Sequence, residues 1–292
     1  MAATELRVPA ADGYSLAATL FEPERPTARA AVLSTGMGIP RGFYARYATY
    51  LAACDIAVLA YDYRGVGGSR PARLRRFAAT CTDWGERDLA GAIEWAGARF
   101  ADVLAVGHSL GGQLVGLAPN NARLVGVLTI AAPSGYWRHW PFPMRLLLWT
   151  LWHAVLPSTA AALGLFPARV LRLGEDVPEH VMREWCAWCR SPHYIAGAPG
   201  TPRRAGFERI GAPLRAHSFS DDAYAPRRAV DALLGFYANA RVEHRHVAPR
   251  ELGMARIGHL GFFREGPTRA LWAETADWLL AAAPRPARAL AG

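Results

Sequence analysis

Up to Ile130 the apolar residues come as short unbroken runs, each closed by a turn signal, with helically spaced stretches between them. Glu5–Val8 and Tyr14–Phe21 flank Ala11-Asp12-Gly13 and predict a hairpin. Ala30–Ser34, Ile56–Tyr61, Val103–Val106 and Leu124–Ile130 read as buried strands. Phe43–Ala53, Trp84–Arg99 and Leu110–Leu117 have helical spacing and lie between them. Such alternation predicts an α/β fold with a mostly parallel sheet covered by helices on both faces.

The rhythm breaks between Ser134 and Ile210. No run of short β-branched strands occurs there, and six of the ten tryptophans do: Trp137, Trp140, Trp149, Trp152, Trp185 and Trp188. Alternation resumes with a strand at Leu214–Phe219, a helix at Arg227–Ala238, a strand at Arg241–Val247 and a last helix at Thr268–Ala282. The pattern divides the chain into a first core part, 1–133, a helical insertion, 134–210, and a second core part, 211–292. An Ala/Pro/Arg-rich tail follows Ala281. Leu146–Ala168, between Arg145 and Arg169, carries no formal charge and is long enough to span a bilayer. Pro157, Gly164 and the polar residues within it predict instead two short apolar helices broken near Pro157. No transmembrane segment is expected, while contact with a membrane surface stays open.

Composition narrows the classes. Apolar residues make up 52% and charged residues 20%, which excludes a disordered chain. Four cysteines in 292 residues do not make a disulfide framework. The first ten residues include Glu5 and Arg7 and have no apolar core, unlike a signal peptide, so a cytoplasmic setting is expected. All 33 cations are arginine, against 24 acids, for a net charge of +9. The arginines are scattered, with the densest group at Arg70, Arg73, Arg75 and Arg76, and no basic–aromatic motif accompanies them. No nucleic-acid partner is expected.

The chemistry concentrates at Gly107-His108-Ser109-Leu110-Gly111, which follows an apolar strand and precedes a helix. In that context G-x-S-x-G is a nucleophile elbow: a tight, strained turn lifts the Ser109 hydroxyl off the sheet edge. The Leu110 amide, at the helix start, suits an oxyanion. A serine hydroxyl needs a base, and the base needs an orienting acid, in the chain order Ser, Asp/Glu, His. Asp221 and Asp222 both follow the strand Leu214–Phe219. Asp222, four residues before Pro226, is the favoured acid, and Asp221 is then a solvated turn residue or helix cap. His259, in a glycine-flanked loop after the last strand, is the favoured base. His244 and His246 alternate along a strand and read as packing or surface residues. The loop Ser34–Pro40 offers the Met37 amide as the second oxyanion donor.

On these residues the chain resembles the α/β-hydrolase superfamily, in its serine-aminopeptidase-like and monoacylglycerol-lipase-like branch. Asp62-Tyr63-Arg64-Gly65-Val66-Gly67-Gly68-Ser69 is similar to that branch's D-x-R-G-x-G-x-S loop, and Gly258-His259 to its base loop. The resemblance implies eight mostly parallel strands, hydrolysis through an acyl-enzyme, and a structural part for Asp62. It also implies that the Trp-rich insertion is a variable cap that sets specificity. Thr35 stands where relatives often carry histidine, which leaves the oxyanion loop less defined than the triad.

Tryptophans three residues apart share helical faces. Trp137, Trp140, Trp185 and Trp188 are candidates to line an apolar acyl pocket, against a plain role in the insertion's core. Cys186-x-x-Cys189 lacks a second cysteine pair, so no metal is expected; no organic cofactor is required either. The expected substrate is a small acyl ester or thioester, hydrophobic or borne on an anionic carrier that Arg70–Arg76 would suit. A serine at the elbow argues against epoxide-hydrolase or dehalogenase chemistry, which needs a carboxylate there. The alternatives are amide or peptide cleavage, acyl transfer, or a non-catalytic binding protein on the same fold. Cleavage next to a free N-terminus would need an acidic anchor, with Glu175, Asp176, Glu179 and Glu184 as candidates. Oligomeric state leaves no mark in the sequence.

Overall fold

The computed structural model describes residues 2–282, so the tail from residue 283 onward lies outside the described residues. The strands are β1 (Ala2–Pro9), β2 (Ser15–Glu22), β3 (Arg29–Ser34), β4 (Ala57–Tyr61), β5 (Asp102–His108), β6 (Leu124–Ile130), β7 (Leu165–Phe166), β8 (Val177–Pro178), β9 (Leu214–Phe219) and β10 (Val242–Val247). Eight of them form one sheet in the order β1-β2-β4-β3-β5-β6-β9-β10; β7 and β8 pair separately. Only the β1–β2 and β2–β4 pairings in the large sheet are antiparallel. β4 is buried throughout, and β3 and β5 at every residue but the first. Apolar runs without alternation are what a parallel sheet covered on both faces requires.

The covering helices use the spacing read above. Ala45–Ala53 packs on the last helix, Arg269–Ala282, where the Tyr47 hydroxyl bonds Thr275 Oγ1 at 2.9 Å and the Tyr47 and Trp272 ring centroids lie 5.5 Å apart. The long helical stretch starts at Cys81 behind a Thr80–Asp83 capping box. It widens into a π segment at Trp84–Leu89 and ends at Gly97. The π segment sets the Trp84 indole on the Arg64 carbonyl at 3.0 Å and Asp88 on the Arg64 guanidinium at 2.7 Å. Arg64 also forks onto Asp12 with two bonds of 2.7 Å. Asp62, fully buried, accepts from the Arg41 and Gly68 amides at 2.7 and 2.9 Å and from the Arg41 guanidinium. These ionic contacts hold the loop after β4.

The chain leaves the sheet after Ile130 and rejoins it at Leu214, and the excursion is mainly helical. One expectation is corrected here. No break occurs near Pro157: a single helix runs from Met144 to Leu163. It is α-helical to Thr150, a π turn over Leu151–Val155, and α-helical again from Leu156, with Pro157 at the start of that last segment. The wide turn just ahead of the proline makes room for its ring where an unbroken α ladder would clash. The helix packs through Leu156–Leu163 on the helix Glu179–Cys189. The last helix of the excursion, Pro202–Glu208, packs on Leu114–Leu117 behind the elbow, with the Phe207 ring against Gly116.

Candidate active site

Four loops meet at the carboxyl end of the parallel strands, where ligands of open α/β sheets bind. They follow β3, β5, β9 and β10. Ser109 follows the end of β5 with φ +51° and ψ −119°, in the left-handed region a non-glycine residue seldom adopts. Glycine is obligatory beside it: a Cβ on Gly111 would lie 2.3 Å from the Ser34 carbonyl oxygen, and one on Gly107 2.4 Å from the Gly112 Cα. The elbow can thus nest against β3 while Ser109 remains partly exposed.

Ser109 Oγ lies 2.9 Å from His259 Nε2, and His259 Nδ1 lies 2.8 Å from Asp222 Oδ2. With Nδ1–H donating to the carboxylate, Nε2 is left to accept the serine proton. The other Asp222 oxygen accepts from the amides of Tyr224 (2.8 Å) and Ala225 (3.2 Å), which sets the carboxylate's orientation. Asp221 is not the free turn residue or helix cap expected of it. Its Oδ2 accepts from the amides of Ile257 (2.9 Å) and Gly258 (3.0 Å) and so ties down the loop that carries His259. Nothing in the sequence marks that bond, which spans 36 residues.

A second polar chain links the loops from below. The His259 carbonyl can only accept, so His108 Nε2–H donates to it at 3.0 Å. Nδ1 of His108 then accepts from the Tyr44 hydroxyl at 2.9 Å, and that hydroxyl in turn accepts from the Gly36 amide at 2.8 Å. Burial holds His108 well below the usual histidine range, consistent with a neutral ring in this chain. Tyr44 and His108 therefore join the loop after β3, the elbow and the base loop. Met37 is half-buried in the first of these, and Leu110 opens the helix after the elbow, where backbone amides lack carbonyl partners within the helix. Thr35 is buried, and its hydroxyl has no partner among the described residues.

His244 and His246 lie outside this constellation. Both reach Ser218 Oγ at 2.7 Å, and His244 donates to Asp231 at 2.6 Å. The chemistry copies a Ser–His–Asp chain, but Ser218 is fully buried near the end of β9.

The tryptophans of the excursion divide. Trp140 is buried, and its indole donates to the Ala223 carbonyl at 2.8 Å, tying the excursion to the acid loop. Trp185 donates to Tyr194, which donates to Gln113 behind the elbow at 2.6 Å. Trp188 is buried with Arg203 over its ring. Trp137 stays half-buried, with Arg138 over its face. Cys186 and Cys189 are buried free thiols; burial pushes Cys186 up to about 12 and Cys189 well above its ordinary value. Burial thus favours the neutral thiol at both. The four acids considered as amine anchors are all engaged. Glu184 holds Thr82 through its amide and hydroxyl, Glu175 the Gly67 amide, Asp176 the Arg169 amide, and Glu179 the Arg183 guanidinium.

Comparisons with known proteins agree with this architecture. The family described as serine aminopeptidase, S33, matches residues 25–177. A soluble variant of monoglyceride lipase from Saccharomyces cerevisiae superposes with a TM-score of 0.68 at 12% identity, over 98% of this chain and 97% of that one. Monoacylglycerol lipase from Paleococcus ferrophilus gives 0.61 at 17% identity, over 91% and 99%. Proline iminopeptidase from Mycobacterium smegmatis gives 0.60 at 15%, over 96% and 98%. At these identities the likeness is one of fold. Among curated proteins, none matches the chain.

Proposed function

Because the chain belongs to the serine aminopeptidase S33 family of α/β-hydrolases, we propose that it is a serine hydrolase cleaving a carboxylic ester or thioester through an acyl-enzyme on Ser109. The observation that carries this reading is the unbroken relay from Ser109 Oγ through His259 to Asp222, at 2.9 and 2.8 Å, behind a strained serine. His259 Nε2 takes the Ser109 proton as the oxygen attacks the acyl carbonyl. Asp222 holds the tautomer and offsets the charge on the imidazolium. The amides of Met37 and Leu110 receive the oxyanion. The tetrahedral intermediate collapses as His259 protonates the departing oxygen or sulfur. Water, deprotonated by the same nitrogen, then releases the acid and frees Ser109.

The engaged state of Glu175, Asp176, Glu179 and Glu184 favours an ester or thioester over a substrate with a free amino terminus. An amino group arriving near any of them would have to displace a bond already made. We assign the excursion as a cap over the site. Trp140, Trp185 and Trp188 secure it, and Trp137, with part of its ring open, meets the acyl chain.

A fluorophosphonate probe tests the mechanism. Wild type is expected to label, and Ser109→Ala not at all. Ser109→Ala and His259→Ala are each expected to lower kcat by roughly 10⁴-fold or more. A wild type that does not label would make the protein a non-catalytic binder instead. Nitrophenyl esters of increasing chain length test the acyl slot: Trp137→Ala should flatten the dependence of kcat/KM on length, and equal rates in wild type would remove the slot.

A further inference from the structure

All but Tyr224 and Val242 of the exposed large apolar side chains among the described residues lie between Phe142 and Leu173. Most belong to the helix Met144–Leu163, whose most apolar stretch has a mean hydropathy of 1.4 and is only 11% buried. Its first turns stand clear of the protein: from Met144 to Thr150 every residue but Leu148 is exposed. Phe142, Leu146 and Leu147 are 68%, 56% and 53% exposed. A patch of this kind in water marks an interaction surface.

Its charge is equally one-sided. Between Arg138 and Gly174 the chain carries Arg138, Arg145, Arg169 and Arg172 and no acid. Arg138, Arg145 and Arg172 make no ion pair with an acidic residue among the described residues. Arg169-Val170-Leu171-Arg172-Leu173 repeats the mixture, with Val170 81% exposed. The Glu175 amide bonds the Gly38 carbonyl at 2.7 Å, which seats this segment beside the loop that carries Met37.

From this juxtaposition we infer that the helix Met144–Leu163 and the segment Arg169–Leu173 dock the protein on the surface of an anionic lipid bilayer. The apolar side chains enter the boundary between headgroups and acyl chains, and the arginines lie along it against phosphates. A second copy of the chain fits less well. A twofold contact through this face would bring unpaired arginines together on a molecule of net charge +9. The helix lies on the bilayer and does not cross it. Its Trp152 and Ala160 are buried, and just past its end the Gly164 carbonyl accepts from the Arg76 amide at 2.7 Å.

Flotation of the full chain with vesicles tests this, and its readout does not depend on catalysis. With phosphatidylcholine containing about 30 mol% phosphatidylglycerol the protein is expected to float at low salt, and to do so far less with phosphatidylcholine alone or at high salt. Leu146→Ser, Leu147→Ser and Leu171→Ser combined should cut the bound fraction at least tenfold and leave the melting midpoint and short-chain ester turnover unchanged. Arg138→Gln, Arg145→Gln and Arg172→Gln combined should weaken binding to the anionic vesicles alone, by roughly fivefold per arginine. Absence of binding by wild type, or equal binding by the leucine variant, overturns the inference. So does a lipid-free dimer that the leucine variant dissolves, since a second copy would then be the occupant. A bound fraction that resists alkaline carbonate would overturn surface docking in favour of insertion.

Discussion

Asp221 and Asp222 are neighbours with opposite tasks. Asp222 faces the imidazole, and Asp221 faces the backbone that carries it. Asp222→Ala removes the tautomer lock and should lower kcat by about 10³–10⁴-fold with little change in KM. Asp221→Ala leaves two amides without an acceptor. It should cost roughly 1–3 kcal/mol of stability, with a smaller loss of kcat that Asp221→Asn partly restores. Steady-state kinetics and urea melts of the three variants check both outcomes. A larger kcat loss for Asp221→Ala than for Asp222→Ala would reverse the assignment. The place of Asp222 before Pro226 sets it apart in the sequence, and it is this aspartate that bonds His259. The task of Asp221 was not legible there, because its partners at Ile257 and Gly258 become neighbours only once β9 and β10 are paired.

Among the elements, three loops from separate strands share one buried hydrogen-bonded chain through Tyr44 and His108. Tyr44→Phe keeps the ring contacts with Phe43 and Phe263 but orphans the Gly36 amide and His108 Nδ1. A loss of roughly 1–3 kcal/mol is expected in urea melts, together with a reduced kcat. An unchanged kcat would mean that the loops hold their geometry without this chain. Strand and helix order up to Ile130 was legible because buried parallel strands must be apolar on both faces. The helix through Pro157 was not, because a π turn absorbs the proline without an outward sign. The tryptophans mislead for a related reason: Trp140 bonds a carbonyl 83 residues away, and no local spacing encodes that distance.

The whole molecule shields two histidines, and its acid stability follows. Burial lowers His108 and His217 below the ordinary histidine value, with Glu274, 3.6 Å from His217, opposing the shift there. The unfolded chain binds protons at both residues below about pH 6.5 while the folded chain does not. The contribution of these two histidines is therefore full above that pH and is lost as the solution is acidified, by about 1.4 kcal/mol per pH unit for each that stays neutral, while Asp88, which burial raises to about 6, acts in the opposite sense below that pH. Urea midpoints between about pH 7.5 and 5.5 should drop accordingly, and His217→Gln should drop less; a flat profile would contradict this. The excursion bears on the molecule's capacity for change. A parallel strand can join its neighbour only by returning across the sheet, and from β6 to β9 the helix Pro202–Glu208 makes that return, packed behind the elbow. The tryptophan-rich segment ahead of that helix carries no topological duty. On the proposed cap role, it can be exchanged by design for new substrates while the sheet stays the same, provided the bonds of Trp140 to the acid loop and of Tyr194 to Gln113 are kept.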